Sequence, residues 1–318
     1  MSRGATSLTV WGVLLLAGGS SAESFSGLDE PPRGTRPPRI VRIEGGGTVD
    51  ENNVRTARET ASHAFGTPVW TAPPGFERDV FTFARLVFRN AIPRVQSRGF
   101  GPWLGWWVDY PDADLNLSWR LQQTTSLRTD PDCRVLGLMD ADLHEYPLLY
   151  LEHTGYMELD NDEVGRLRNY LANGGVLFVN DFWSRREWDG FAAQMARVFP
   201  GRTWTPLETT HPLFRCVFDL RRPMHQLRVP TMQFWNEDFD PHDPQSNPHR
   251  VDRGEGSETM SVRVLLDDAG RIQILAIHNS DVSDGWEREG ENDYYFSHFS
   301  ETTAFPLAIN IVVYLMLH

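Results

Sequence analysis

Three acidic side chains, Asp281, Asp284 and Glu287, fall within seven residues. They come directly after an apolar stretch, residues 272–277, and the histidine that follows it, His278. Oxygen-rich loops of this density suit Ca²⁺ or Mg²⁺, and an imidazole beside them suits a transition metal. The spacing is not that of an EF-hand, and an acidic turn that caps the next segment has the same composition. His153 and Asp181 make a second pair. Each closes a predicted strand, Leu148–Glu152 and residues 176–179, so parallel strands would project both from one sheet edge. A carboxylate beside an imidazole there forms a general base or half a metal site. The alternative is a helix-capping Asp181 and a solvent-facing His153. Asp181, His153 and His278 are thus the catalytic candidates, and His278, Asp281, Asp284 and Glu287 the metal candidates.

A third constellation is Trp106-Trp107-Val108-Asp109-Tyr110-Pro111. Clustered rings cover a pocket or bind a planar or sugar face, or else pin a loop to the core. Asp109 is the one carboxylate inside this cluster and needs a partner if buried. With Asp181, Trp286 and the His211 of His211-Pro212, the ligand-binding candidates are Trp107, Asp109, Tyr110, Asp181, His211 and Trp286. His211 gains a role only if the fold brings it beside Asp181. No Gly-x-Ser-x-Gly elbow, His-Glu-x-x-His pair, Walker loop or zinc-ribbon cysteine spacing is present.

Positioning these groups requires an alternation of strands and helices. The aromatic and aliphatic residues 81–88 predict a strand. Asp114 is placed to cap a helix over residues 115–124, and residues 134–138 read as a short buried strand. Asp160 and Glu163 form an Asp-x-x-Glu capping box for a helix whose apolar face is Val164, Leu167, Tyr170 and Leu171. Asn173-Gly174-Gly175 ends it, glycine supplying the left-handed cap. A second helix is expected over 187–199. Residues 236–258 read as a long loop, residues 262–266 and 272–277 as a hairpin around Asp267-Asp268-Ala269-Gly270, and residues 303–317 as an apolar helix. Such alternation favours an α/β fold with a mainly parallel sheet and helices on both faces.

The 318 residues are 40% hydrophobic and 23% charged, enough for one large α/β domain. A formal net charge of −13 disfavours nucleic acid and anionic membranes as partners. Lysine is absent, so all 30 basic residues are arginine. That excludes a Schiff-base lysine and PLP chemistry with it, a nucleotide P-loop and a Ser-Lys dyad. Arg3, an apolar run over residues 8–17 and the small residues Ser20-Ser21-Ala22 read as a secretory signal, residues 1–22. Residues 23–67, rich in Gly, Pro and Arg, read as an extended arm or linker with room for a short helix near 53–63, and residues 68–318 as a single α/β domain. The C-terminal apolar run, residues 308–317, is too short to span a membrane. Export would let Cys133 and Cys216 pair; two buried thiols are the alternative.

In combination, Phe81-Thr82-Phe83-Ala84-Arg85, Trp107-Val108-Asp109-Tyr110-Pro111, Tyr146-Pro147, Gly174-Gly175-Val176-Leu177, His211-Pro212, His278-Asn279 and Asp284-Gly285-Trp286 resemble a bacterial family of exported proteins, the domain-of-unknown-function 4159 family. The resemblance spans roughly residues 68–318. It implies a flavodoxin-like sheet of the class I glutamine amidotransferase-like and trehalose-utilisation-protein-like kind, with a C-terminal hairpin and helix, and points to carbohydrate ligands. Where such amidotransferases carry a nucleophilic cysteine after the Gly-Gly strand, this chain has Asn180, Asp181 and Trp183, so their Cys-His-Glu triad has no place here. Three functions follow as expectations: an exported, periplasmic or extracellular module binding a small polar ligand such as a glycan, a metal-assisted hydrolase or isomerase, and an envelope protein that docks partners. The divalent metal belongs to the second.

Overall fold

In the computed structural model, residues 37–43, 47–64, 66–77, 79–91, 105–240, 242–250 and 252–318 are described. The expected signal at 1–22 lies outside them. The first elements are two short antiparallel strands, β1 (Ile40–Arg42) and β2 (Thr48–Asp50). Within the stretch expected to be an extended arm, Val41, Ile43, Val49, Val54 and Ala57 are buried in the same core as the sheet. This segment alternates apolar and polar residues, and that alternation buries one face of each strand. The helix expected near 53–63 is a single 3-10 turn, Ala57–Glu59.

The central sheet follows: β3 (Ala84–Val87), β5 (Arg134–Gly137), β6 (Leu148–Glu152), β8 (Val176–Asn180), β9 (Thr205–Pro206), β10 (Ser261–Leu266) and β11 (Ile272–His278). β4 (Arg89–Asn90) and β7 (Met157–Glu158) pair separately. The seven-stranded order is β5-β3-β6-β8-β11-β10-β9. Its first five strands are parallel, while β10 runs antiparallel to β11 and to β9. Every residue of β6 and β8 is buried, as a parallel strand covered on both faces requires. The regular part of the 81–88 strand is shorter than expected: Phe81 makes only an isolated bridge to Thr129.

The helices are α1 (Asp112–Thr124), α2 (Asn161–Ala172), α3 (Ser184–Val198), α4 (Asp284–Glu287), α5 (Asp293–Tyr295) and α6 (Phe305–Leu317), with a π-helical stretch Phe296–Ala304 leading into α6. α2 and α3 pack on each other, whereas α1 packs on α4 and α6. Right-handed crossovers put these two groups on opposite faces of the sheet. α2 begins with the expected box: Asp160 accepts from the Glu163 N–H and Glu163 accepts from the Asp160 N–H, both at 2.9 Å. Gly174, at φ 104°, follows its end. Asp160→Ala is expected to lower stability by about 1 kcal/mol, measurable as a shift in the urea midpoint with unchanged slope.

Two helix starts differ from the sequence reading. α1 begins at Asp112, and Asp114 is no cap: it lies fully buried against Arg85. α3 begins at Ser184 because Glu187 accepts the Trp183 N–H at 2.7 Å and so satisfies a free donor of the first turn. The helical stretch Asp293–Leu317 is long and apolar enough to cross a membrane, but 61% of its apolar window is inside the protein, as in a core helix. Cys133 and Cys216 are both free thiols; the first is buried and the second exposed.

Candidate functional site

The segments that leave the C-terminal ends of the parallel strands turn on non-glycine residues in the left-handed region: Asp109 (φ 55°), His153 (53°), Asp181 (48°) and Asn279 (63°). Such a turn costs about 1–2 kcal/mol per residue. Asp, Asn and His tolerate it best, and clusters of it mark functional sites. The Asp109 and His153 turns follow the two strands, β3 and β6, between which the strand order reverses, and the other two follow the neighbouring strands β8 and β11. In chain order the five parallel strands stand second, first, third, fourth, fifth across the sheet, so the reversal falls between β3 and β6. Open α/β sheets bind ligands outside the carboxyl ends of the strands at that point.

Asp109, Asp181 and Asp281 each present a carboxylate oxygen, all three within 4.8 Å of one another, and so do Asp109, Asp284 and Glu287. All five residues are buried. Asp109 Oδ2 has no hydrogen-bond partner among the described residues. Burial, and next the neighbouring Glu287, push the Asp109 carboxyl well above the usual range. Burial, followed by Asp181 and Asp284, does the same to Asp281. Asp181 goes the other way. Burial opposes its charge, but the His153 imidazole, 2.5 Å from Oδ2, and the Trp183 indole N–H, 2.6 Å from Oδ1, outweigh that and lower its pKa. Burial likewise disfavours the His153 imidazolium, and Asp181 overrides it, raising the His153 pKa.

Each member is held by identifiable partners. The Asn180 amide donates to Ser283 Oγ at 2.9 Å, tying β8 to the acidic loop. Asp281 accepts from Thr231 Oγ1 at 2.6 Å and from the Asp284 N–H at 3.1 Å. Asp284 accepts from the Met232 N–H at 2.5 Å, and Arg288 lies 3.2 Å from Asp284 and 2.5 Å from Glu287. Gly285 lets α4 approach the π-helical stretch, since a Cβ there would meet Ala304 Cβ at 2.3 Å. Asp109 is aimed by Arg85. This fully buried guanidinium pairs with Asp114 and Glu152 and donates to the Trp106 and Val108 carbonyls at 2.8 and 3.0 Å.

The sequence model of a domain of unknown function, DUF4159, matches residues 92–316, more than half of the chain. The chain belongs to the DUF4159 family. No curated protein matches it. All five carboxylates of the two groups lie inside the matched DUF4159 region, while Arg85 and His63 precede it.

Not every candidate joins the DUF4159 cluster. His278, the proposed ligand, instead bonds the Ser184 carbonyl through Nε2 at 2.9 Å and packs on Phe182 and Trp188, outside both carboxylate groups. Burial lowers its pKa to about 4. A histidine whose pKa falls on folding destabilises the fold as pH drops from its unfolded value, about 6.5, toward about 4. NMR is expected to show a neutral His278 ring throughout pH 6–8.

His211 does not reach Asp181. It accepts from the Leu213 N–H and faces Tyr314 in a cleft of about 850 Å³ beside Ile272, the first residue of β11. That is roughly 20 Å, one strand length, from the carboxyl edge. Among the aromatic candidates, Trp286 is fully buried against Tyr150 and Phe178, the Tyr110 hydroxyl donates to the Thr56 carbonyl at 2.9 Å, and Trp107 stands edge-on to Trp106 at 8% exposure. Their faces serve packing.

Sequence reasoning missed Arg85, Glu152, Thr231 and His63. The first two were signalled by a charge inside an otherwise apolar strand. His63, on the N-terminal segment, lies 3.4 Å from Asp112 and 3.2 Å from Glu287; nothing in its local sequence marks it.

Proposed function

We propose that this DUF4159 domain is a divalent-cation-dependent module, with Asp109, Asp181 and Asp281 as the cation ligands at the carboxyl edge of the parallel strands and a small polar ligand bound beside them. The observation that carries this reading is the buried Asp109 carboxyl, which belongs to both carboxylate groups and whose Oδ2 lacks a hydrogen-bond partner among the described residues. Buried charge without a partner is costly enough that it is normally paired or coordinates a metal. An all-oxygen donor set suits Mg²⁺, Ca²⁺ or Mn²⁺. A cation held there would polarise a ligand oxygen as a Lewis acid, and the His153–Asp181 pair beside it could move a proton. Metal-assisted hydrolysis or isomerisation is therefore the reaction class we favour. The rings of Trp107, Tyr110 and Trp286 are packed inside the protein, so a small polar ligand would be held through the cation rather than by stacking on them.

The flavodoxin-like, class I amidotransferase-like assignment belongs to the same proposal. It is supported by the second-first-third-fourth-fifth order of the parallel strands, the order of flavodoxin-like sheets. Export is supported by Arg3, the apolar run 8–17 and Ser20-Ser21-Ala22.

The test is thermal unfolding of the full chain after chelation and then with Mn²⁺, Mg²⁺, Ca²⁺ or Zn²⁺. A cation at a hundredfold excess over its dissociation constant adds about 2.7 kcal/mol. The stabilisation is expected with an oxygen-seeking cation and is expected to disappear in Asp281→Asn. An equal shift in wild type and variant would refute the assigned ligands.

A further inference from the structure

We propose that the acidic cluster holds two divalent cations, bridged by Asp109. This rests on the cation-binding reading above and extends it. The five carboxylates do not form one ligand set. They form two triplets, Asp109 with Asp181 and Asp281, and Asp109 with Asp284 and Glu287, and only Asp109 belongs to both. Within each triplet the donor oxygens lie within 4.8 Å of one another. Oxygens bound to one cation at about 2.0–2.6 Å can stand no farther apart than roughly 5.2 Å, so each triplet fits a single ion.

The placement of the ligands in the chain supports the division. One triplet draws Asp181 from the end of β8 and Asp281 from the loop after β11. The other draws Asp284 and Glu287 from α4. The segment between β4 and α1 supplies one acid to both, and a carboxylate has two oxygens to share between metals about 3.5–4 Å apart.

The Asp109 Oδ2, without a hydrogen-bond partner among the described residues and on a residue only 3% exposed, is the independent sign of a ligand. The other acids have protein partners: His153 and Trp183 on Asp181, Thr231 on Asp281, and Arg288 on both Asp284 and Glu287. Arg288 competes directly for the second triplet, so its cation binds more weakly than the first. A cation pair so placed would clamp a ligand through an anionic oxygen group.

The experiment uses the full chain, stripped with chelator and titrated with Mn²⁺. Bound Mn²⁺ is counted by equilibrium dialysis, and its paramagnetic resonance spectrum is recorded. Two Mn²⁺ per chain, the second weaker, with a spin-coupled signal at saturation, is the expected result. Glu287→Gln is expected to reduce the count from two to one and abolish the coupling. Asp109→Asn is expected to abolish the coupling too, with circular dichroism confirming the fold of each variant. One Mn²⁺ per wild-type chain, unaffected by Glu287→Gln, would overturn the bridged pair yet leave the single-cation reading intact. No bound Mn²⁺ on folded wild-type chain would overturn both.

Discussion

Arg85→Ala is expected to cost the fold about 3–5 kcal/mol, the usual penalty for removing one partner of a buried ion pair, and to scatter the acidic cluster as well. Arg85 is fully buried on β3, its guanidinium between the Tyr110 and Tyr150 rings at 5.6 and 5.0 Å. It answers two carboxylates, Asp114 and Glu152, and two carbonyls, those of Trp106 and Val108. Without it, Glu152, which burial already raises to about 7 against the opposing pull of Arg85, loses its main counter-charge. The Trp106–Val108 backbone that presents Asp109 also loses its anchor. Arg85→Lys is expected to rescue little, because one ammonium cannot reproduce the planar fork that serves four acceptors. Urea unfolding of both variants checks this. A loss under 1 kcal/mol in Arg85→Ala would show that the network contributes little.

Asp109→Asn is expected to act in the opposite sense on the cation-free protein, raising its stability by about 0.5–2 kcal/mol, as removing a destabilised site residue commonly does. Asp109 has a folded pKa well above its unfolded value of about 3.9. The folded state therefore holds the proton more tightly. The stabilisation this affinity confers is complete below the unfolded pKa and is lost as pH rises through the folded one. At neutral pH, Asp109 and Asp281, both raised, oppose folding unless a counter-charge is bound. Relative to Asp109→Asn, chelated wild type should therefore gain stability from pH 7 toward pH 5, the opposing effect of His278 being common to both. With cation present the ranking should invert, wild type then being the more stable. Thermal unfolding across pH 5–8, with and without Mn²⁺, reads all of these together. A difference between chelated wild type and Asp109→Asn that stays constant across that range would contradict the assigned cost.

The parts of this fold set by local chemistry could be read from the chain. Asp160 and Glu163 cap α2 as a neighbouring pair, and Gly174 follows its end because the left-handed turn costs glycine little. The apolar runs of β6 and β8 identify strands buried on both faces. The pairing of His153 with Asp181 follows from two adjacent parallel strands ending at the same level.

What escaped depends on contacts distant in sequence. Whether Asp109 faces Glu287 depends on how β3 and β11 are ordered in the sheet, and no residue near either one encodes that. His278 has the composition of a ligand, yet the β11 alternation turns its ring under α3, where Phe182 and Trp188 enclose it. His211 sits at the other end of the sheet for a similar reason: it follows β9, which pairs with β10 beyond β11. The burial of Val41, Ile43, Val49, Val54 and Ala57 was missed because Gly and Pro punctuate the sequence around them while these few apolar positions decide the packing.

An anomalous-difference map from crystals of the full chain grown with Mn²⁺ tests the central claim most directly. A peak within coordination distance, about 2.0–2.6 Å, of carboxylate oxygens of Asp109, Asp181 and Asp281 is the predicted result. Density only elsewhere on the protein, or none while the Asp109 carboxylate keeps its buried position, would contradict it.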